Sequence, residues 1–191
     1  EPLLVTENGV QFATYLNEGL MTGIFLDQKE VRGRLVDGFA VGKTVLNMFS
    51  YTGAFSVAAA MGGAVATTSV DLAKRSLPKT TEQFEVNHLN LAAQKIIVMD
   101  VFDYFKYASR KGLSYDMIIL DPPSFARNKK KVFSVAKNYG ELVKDSIDIL
   151  TDKGTLIAST NAANLSLAKY QKMVITALQE KNVRYKFTDT Y

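Results

Sequence analysis

The 191-residue chain contains no cysteine, one histidine and four prolines. Without cysteine there is no disulfide, no thiolate metal ligand and no cysteine nucleophile, a pattern that suits a cytoplasmic protein. No cluster of His, Asp and Glu falls at metal-ligand spacing, so no metal site is expected. His88 has no neighbouring partner that would make it a general base, and it reads as a surface residue near a helix end. No serine sits in a G-x-S-x-G elbow. No apolar run approaches the ~18 residues of a membrane span. No basic-then-apolar leader opens the chain.

What is present is ordinary for a globular domain: 47% hydrophobic residues, a formal charge of +4 and an isoelectric point near 9.1. That balance permits a polyanionic partner without requiring one. The length suits one α/β domain with a small appendage. Residue 1 is Glu, and Tyr191 stands inside the strand-like run VRYKFTDTY, so a piece of a longer chain is expected.

Residues 10–16, VQFATYL, alternate apolar and polar, Asn17-Glu18-Gly19 reads as a turn, and LMTGIFL follows, which together suggest a β-hairpin. DQKEVRGRLVDG is charged and loop-like with some helical character. From residue 44 short strands alternate with helices. The strands are TVLNMF, AVATTSV, KIIVM, DMIIL, TLIAST and, as a sixth, VRYKFTDTY. Between them lie AFSVAAAM, a polar run to about His88, VFDYFKYASRK, residues 135–150 (closed by a turn at Asp152-Lys153-Gly154) and residues 166–181. Pro78 either kinks the second helix or marks its first turn. The alternation implies an α/β fold, doubly wound and Rossmann-like, with a mostly parallel open sheet.

Gly42-Lys43-Thr44 imitates the end of a phosphate-binding loop. The earlier glycine it would need is Asp37, and the tripeptide precedes a strand where a phosphate loop follows one, so it is set aside.

The chemistry gathers at the carboxyl ends of four strands, the edge where open α/β sheets bind ligands. The first point is the turn Phe49, Ser50, Tyr51, Thr52 and Gly53 before a helix, where a glycine lets a ligand approach the backbone and free amides can hold a carboxylate. The second is Asp71, followed by Leu72, 18 residues past Gly53 and placed to accept from ribose hydroxyls. The third is Asp100, which could accept from an adenine amine. Both aspartates can equally cap the helices that follow. The fourth is Asp121, Pro122, Pro123, Ser124 and Phe125. Proline has no N–H, so this turn presents acceptors without donors, and Phe125 can stack on a planar base. A rigid turn with a buried phenylalanine is the alternative. Nicotinamide or flavin use would require a G-x-G-x-x-G turn, which is absent, and would leave the Asp-Pro-Pro turn idle.

NMFSYTGAFSVAAAMGGA, SVDLAKRSL and MIILDPPSF, with the leading EGLMTGIFLDQKEVR, resemble the class I S-adenosylmethionine-dependent 23S ribosomal RNA large-subunit methyltransferases, the branch with an N-terminal PUA domain. The resemblance implies S-adenosyl-L-methionine as cofactor. Ser50–Gly53 would hold its methionine end, Asp71 its ribose and Asp100 its adenine. Asp121, Pro122, Pro123 and Phe125 would face the target base. Asp27 and Arg32 match the branch's D-Q-R-x-x-R pattern, with Lys29 where arginine is usual, and Arg32 is assigned to substrate. Residues 1–35 would end a preceding small domain, and 36–191 would form the methyltransferase domain, short of its last strand. Cytosine-5 members carry a cysteine after the fifth strand. Here Thr160 stands near that place, so a base nitrogen, on guanine, is the expected acceptor. Arg127, Lys129, Lys130 and Lys131 follow the base-facing motif and either contact RNA phosphates or form a solvated loop. A methyltransferase for protein, DNA or a small molecule, and a non-catalytic RNA-binding assembly factor, are the competing functions.

Overall fold

The computed structural model describes residues 2–17, 22–127 and 132–190. It opens with an antiparallel hairpin of β1 (Leu3–Glu7) and β2 (Val10–Thr14). Asn8 and Gly9 turn it, with φ of 51° and 76°, the pair of positive angles that a two-residue turn between twisted strands demands. The hairpin thus lies one strand earlier than the sequence suggests. VQFAT is its second strand, residues 22–25 carry no regular structure, and the expected turn at 17–19 falls partly outside the described residues. The stronger signal, Asn-Gly between apolar residues, sits upstream.

A 3-10 turn at Leu26–Gln28 leads into the short helix α1 (Lys29–Arg34). The alternating part follows: β3 (Thr44–Met48), α2 (Ala54–Met61), β4 (Ala66–Asp71), α3 (Ser76–Glu85), β5 (Gln94–Val98), α4 (Val101–Arg110) and β6 (Tyr115–Leu120). Next come a small hairpin, β7 (Phe125–Arg127) with β8 (Val132–Ser134), then α5 (Val135–Asp148), β9 (Leu150–Ala158) and α6 (Leu167–Glu180). Pro78 falls in the first turn of α3, where the missing N–H removes no helical bond.

Five strands form one parallel sheet in the order β5-β4-β3-β6-β9. Val45, Leu46, Met48 and Met117 through Leu120 are completely buried, as central strands covered on both faces must be. Leu46, Met48, Ile118 and Leu120 join α4, α5 and α6 in the larger core. Val45, Met117 and Ile119 point the other way, onto Leu35 and the alanines of α2. The hairpin shares a third cluster, in which Val10, Phe12 and Ile24 pack with Val57 and Phe84.

Two expectations need correcting. Asp152-Lys153-Gly154 does not separate a helix from a strand but lies within β9. Tyr115 pairs with Leu150 and Met117 with Thr155, so the extra residues bulge out, with Lys153 at φ 58°. Residues 183–190 carry no regular structure instead of forming a sixth strand. Their alternation is real, but no neighbouring strand pairs with them among the described residues.

Chain order runs outward from β3 to β4 and β5, then restarts at β6 on the opposite side of β3. This reversal opens a crevice beyond the carboxyl ends of β3 and β6.

Candidate functional site

The turn after β3 is strained. Phe49, Tyr51 and Gly53 have φ of 58°, 51° and 78°, and each non-glycine residue there costs about 1–2 kcal/mol. Its surroundings hold it in place. Ser50 N–H donates to Val70 O at 3.0 Å, Gly53 N–H to Ser50 O at 2.7 Å, and Tyr51 N–H to Asp71 Oδ2 at 2.9 Å. From the other side, Gly23 N–H donates to the Tyr51 hydroxyl at 3.0 Å, and Thr52 Oγ1 donates to Gly23 O at 2.5 Å. Ser50 Oγ is buried without a hydrogen-bond partner among the described residues. An unsatisfied hydroxyl beside a strained turn, at the uncapped start of α2, is a place prepared for a ligand.

The other points converge on the same space. Asp71 Oδ1 accepts from Ala73 N–H at 2.8 Å, so each carboxylate oxygen is fixed by one amide and keeps a further lone pair. Asp100 is the N-cap of α4, accepting from Phe102 N–H at 3.0 Å. The capping role foreseen for it is therefore filled, and its side chain also lines the crevice. Asp121 ends β6. Ser159 Oγ donates to its Oδ1, as does Gln28 Nε2 at 3.3 Å. Oδ2 receives no hydrogen bond from the described residues. Burial raises the carboxyl's pKa, and the nearby Asp27 charge raises it further, against the pull of Ser159 and the Arg32 charge. Behind it, Tyr170 hydroxyl donates to Tyr139 hydroxyl at 2.9 Å, and Tyr139 hydroxyl donates to Ser159 O at 2.8 Å.

The cavity so formed measures about 370 Å³, within the range of nucleoside-sized sites. Phe49, Tyr51, Asp71, Leu72, Asp100, Asp121, Pro122 and Pro123 line it, all named from sequence. A smaller cavity, of about 60 Å³, adjoins Ser50, Thr52, Gln28 and Arg32.

Several lining residues were not legible beforehand: Phe25, Ala73, Arg75, Val101, Phe102, Phe133 and Asn161. Phe133 comes from β8, is 5% exposed, and packs 5.8 Å from Phe49 and 6.0 Å from Phe102 between ring centroids. Phe125 stands differently. It is 60% exposed and lies outside the cavity lining, on the face of its strand opposite Phe133, since Phe125 pairs with Ser134 and Ala126 with Phe133. Arg32 is 2% exposed and ion-paired with Glu7. A phosphate contact by Arg32 would have to break that pair. Arg127 lies on β7, and Lys129, Lys130 and Lys131 fall outside the described residues. His88 is exposed after α3, at φ 55°, and does not line either cavity. Gly42 precedes β3, consistent with setting the phosphate-loop imitation aside. No metal-binding group of three or more residues occurs among the described residues, and no described helix is long and apolar enough to cross a membrane.

Four carboxylates and one arginine, Arg75, line the larger cavity. That field favours a cationic ligand with hydroxyls and an aromatic ring. An adenosyl sulfonium has these properties, and the unsatisfied Ser50 hydroxyl and doubly anchored Asp71 fit its polar groups.

Residues 1–174 match the family described as S-adenosylmethionine-dependent methyltransferase. Among curated relatives, the "Putative ribosomal RNA large subunit methyltransferase YwbD" of Bacillus subtilis is 57% identical over 190 residues, covering 100% of this chain and 48% of that protein. Ribosomal RNA large subunit methyltransferase K of Neisseria meningitidis is 37% identical over 169 residues, 87% of this chain and 48% of that one. The crystal structure of SMU.776, "a putative methyltransferase complexed with SAH", superposes with a TM-score of 0.91 at 59% identity, covering 93% of this chain and 47% of that chain. The chain thus spans about half the length of the relatives it matches.

Proposed function

Since the chain belongs to the S-adenosylmethionine-dependent methyltransferase family, we propose that it carries the methyl-transfer site of an enzyme acting on a base of large-subunit ribosomal RNA, at a guanine nitrogen. The named relatives support the RNA class. One observation carries the choice of atom. Asp121 has Oδ1 held by Ser159 and Gln28, while Oδ2 receives no hydrogen bond from the described residues and stands beside two prolines that offer no N–H.

S-adenosylmethionine, when bound, supplies an electrophilic methyl group for in-line displacement. The chain's own residues position the acceptor and exclude water, which accounts for much of the rate. The turn Phe49–Gly53 and Asp71 orient the adenosyl and methionine portions of the cofactor. Phe133 and Phe102 wall the cavity. Oδ2 of Asp121 accepts a hydrogen bond from an N–H on the edge of a base held out of its strand. A raised pKa suits this carboxylate to taking a proton as the nitrogen is alkylated. The Watson–Crick edge of guanine carries two adjacent donors, N1–H and N2–H, which match a pocket rich in acceptors. Methylation at carbon 5 of cytosine instead calls for a nucleophile that adds to the ring. The loop after β9 brings Asn161 to the cavity and places Thr160 just before it, with Thr160 Oγ1 accepting from Ala162 N–H at 3.1 Å. A threonine hydroxyl is a poor nucleophile for that step. Phe125, exposed and outside the cavity lining, is assigned to stacking on the base, and the basic sequence from Arg127 to Lys131 to phosphate contacts.

Mass spectrometry of large-subunit ribosomal RNA from a deletion strain tests this. Loss of one methylguanosine is expected. Loss of 5-methylcytidine alone would overturn the choice of atom, and unchanged ribosomal RNA would overturn the substrate class.

A further inference from the structure

Two side chains outside the strand-end motifs reach the cavity through other groups. Arg32 donates from Nε to Glu7 Oε1 at 2.7 Å and from Nη2 to Glu7 Oε2 at 3.0 Å. Nη2 also donates to the carbonyl of Phe25 at 2.7 Å, and the guanidinium carbon lies 5.9 Å from each of the Phe12 and Phe55 ring centres. Such a buried ion pair contributes little net stability, because desolvating two charges offsets their attraction. Its geometry does fix the Phe25 carbonyl.

That carbonyl belongs to a segment tied to the cofactor turn. The backbone of Gly23 bonds to the side chains of Tyr51 and Thr52, and the Phe25 ring centre lies 5.3 Å from that of Tyr51. A Cβ at Gly23 would come 2.7 Å from Ala13 O, so the segment also runs hard against β2. At its far end, Gln28 donates to Asp121 Oδ1. One anchored strap thus touches both halves of the site, the turn after β3 and the carboxylate after β6.

We propose that Arg32 and Gln28 are positioning residues for methyl transfer: Arg32, braced on Glu7, holds residues 23–28 against the cofactor turn, and Gln28 at the end of that strap aims Asp121. The proposal rests on the cavity being the cofactor site and is independent of which base is methylated. It also gives the β1–β2 hairpin a part in the site, since Glu7 comes from β1.

The test uses the full-length protein. In the doubly apolar variant Glu7→Leu/Arg32→Met, no charge is left buried alone, so folding is expected to survive. Amide exchange at residues 23–25 without ligand should accelerate about tenfold or more. Affinity for S-adenosylhomocysteine, by calorimetry, should fall about tenfold. Wild-type exchange and wild-type affinity in this variant would overturn the role of Arg32. Should the double variant fail to fold, Arg32→Lys takes the same two measurements, because a single ammonium nitrogen cannot reproduce the planar fork whose Nε and Nη2 together span Glu7 and the Phe25 carbonyl. Faster exchange at residues 23–25 supports the proposal, and unchanged exchange sinks it. For Gln28→Leu, kcat should fall about tenfold with the cofactor KM unchanged, and an unchanged kcat would remove Gln28 from the proposal. A wild-type enzyme inactive on ribosomal RNA would count against the substrate reading and leave the exchange and affinity results standing.

Discussion

Tyr51 and Asp71 are joined by a 2.9 Å hydrogen bond from the Tyr51 amide to Asp71 Oδ2, and the same carboxylate takes the Ala73 amide on its other oxygen. A single side chain therefore holds the left-handed Tyr51 in the turn after β3 and starts the segment into α3. Asp71→Ala should lose both amide partners and the proposed contact to ribose. A destabilisation of about 1–3 kcal/mol is expected, with S-adenosylhomocysteine affinity reduced about a hundredfold by calorimetry. Asp71→Asn keeps one acceptor oxygen and should lie between. An alanine variant that binds the ligand as tightly as wild type would remove Asp71 from the cofactor site.

Gly53 faces Thr80 across the start of α2 and the body of α3. A Cβ at Gly53 would stand 2.5 Å from Thr80 Cγ2, and φ of 78° disfavours any L side chain. Gly53→Ala should cost about 1–3 kcal/mol, part from the backbone angle and part from the clash. Thr80→Ser in the same chain removes the clashing methyl and should recover only the second part, as read by urea denaturation. Full recovery would mean that the turn relaxes its angle freely.

The strands were legible wherever burial on both faces leaves an unbroken apolar run. DMIIL and TVLNM needed no context to be identified, and the acidic strand ends followed from them. Elements defined by pairing were less legible. Alternation in VRYKFTDTY reads like a strand, yet pairing depends on a neighbour that the local sequence does not contain. Asn8-Gly9 was a sufficient turn signal, but the longer alternating run after it drew the hairpin one strand too far. Phe133 was out of reach for a different reason. Its place beside Phe49 depends on the register of β7 with β8, across a stretch with no hydrophobic period. Arg32 is assigned to substrate through the D-Q-R-x-x-R resemblance alone, and its burial depends on Glu7, 25 residues away, which no local pattern reveals.

Gln83 on α3 treats β2 as a neighbouring strand would. Its Oε1 accepts from Ala13 N–H and its Nε2 donates to Ala13 O, both at 2.8 Å. Asn87, one turn later, does the same to Gln11 at 2.9 and 2.7 Å. Asn87 lies in the turn just after α3, and the four-residue step from Gln83 meets the i, i+2 step of the strand closely enough for both pairs to form. Gln83→Leu leaves a buried backbone donor and acceptor without partners, so a loss of about 2–4 kcal/mol is expected in chemical denaturation. Asn87→Ala, at a more exposed pair, should cost about 1 kcal/mol or less. Equal effects would show that the hairpin docks through its apolar face alone.

Asp121 carries a raised pKa in the folded protein, mainly from burial and then from Asp27. The folded state therefore holds its proton at pH values where the unfolded chain has released it. The resulting cost is absent below the ordinary carboxylate range, grows as pH rises through the window up to the raised value, and is complete above it. Asp121→Asn does not titrate. Its stability relative to wild type should rise through that window and then level off, measured by denaturation midpoints across a pH series. Methyl transfer by the variant should fall about a hundredfold, since the amide cannot take a proton. A stability difference that is flat with pH would show that Asp121 is not the group perturbed.

Phe133 and Phe125 lie on opposite faces of the β7–β8 hairpin, so their roles should separate. Phe133 packs against Phe49 and Phe102 in the cavity wall. Phe133→Ala opens that wall and should cost about 3 kcal/mol of stability, along with roughly tenfold in affinity for S-adenosylhomocysteine. Phe133→Leu refills most of the volume and should restore stability ahead of affinity. Phe125 is mostly exposed, so Phe125→Ala should leave stability within about 0.5 kcal/mol. Its effect should fall on the RNA side, raising the KM for RNA or lowering kcat by about tenfold, as loss of one base-stacking contact implies. Cofactor affinity should stay unchanged. If Phe125→Ala instead weakened S-adenosylhomocysteine binding as much as Phe133→Ala, the hairpin would act as a single cofactor wall, and the target base would have to be held from another side of the crevice.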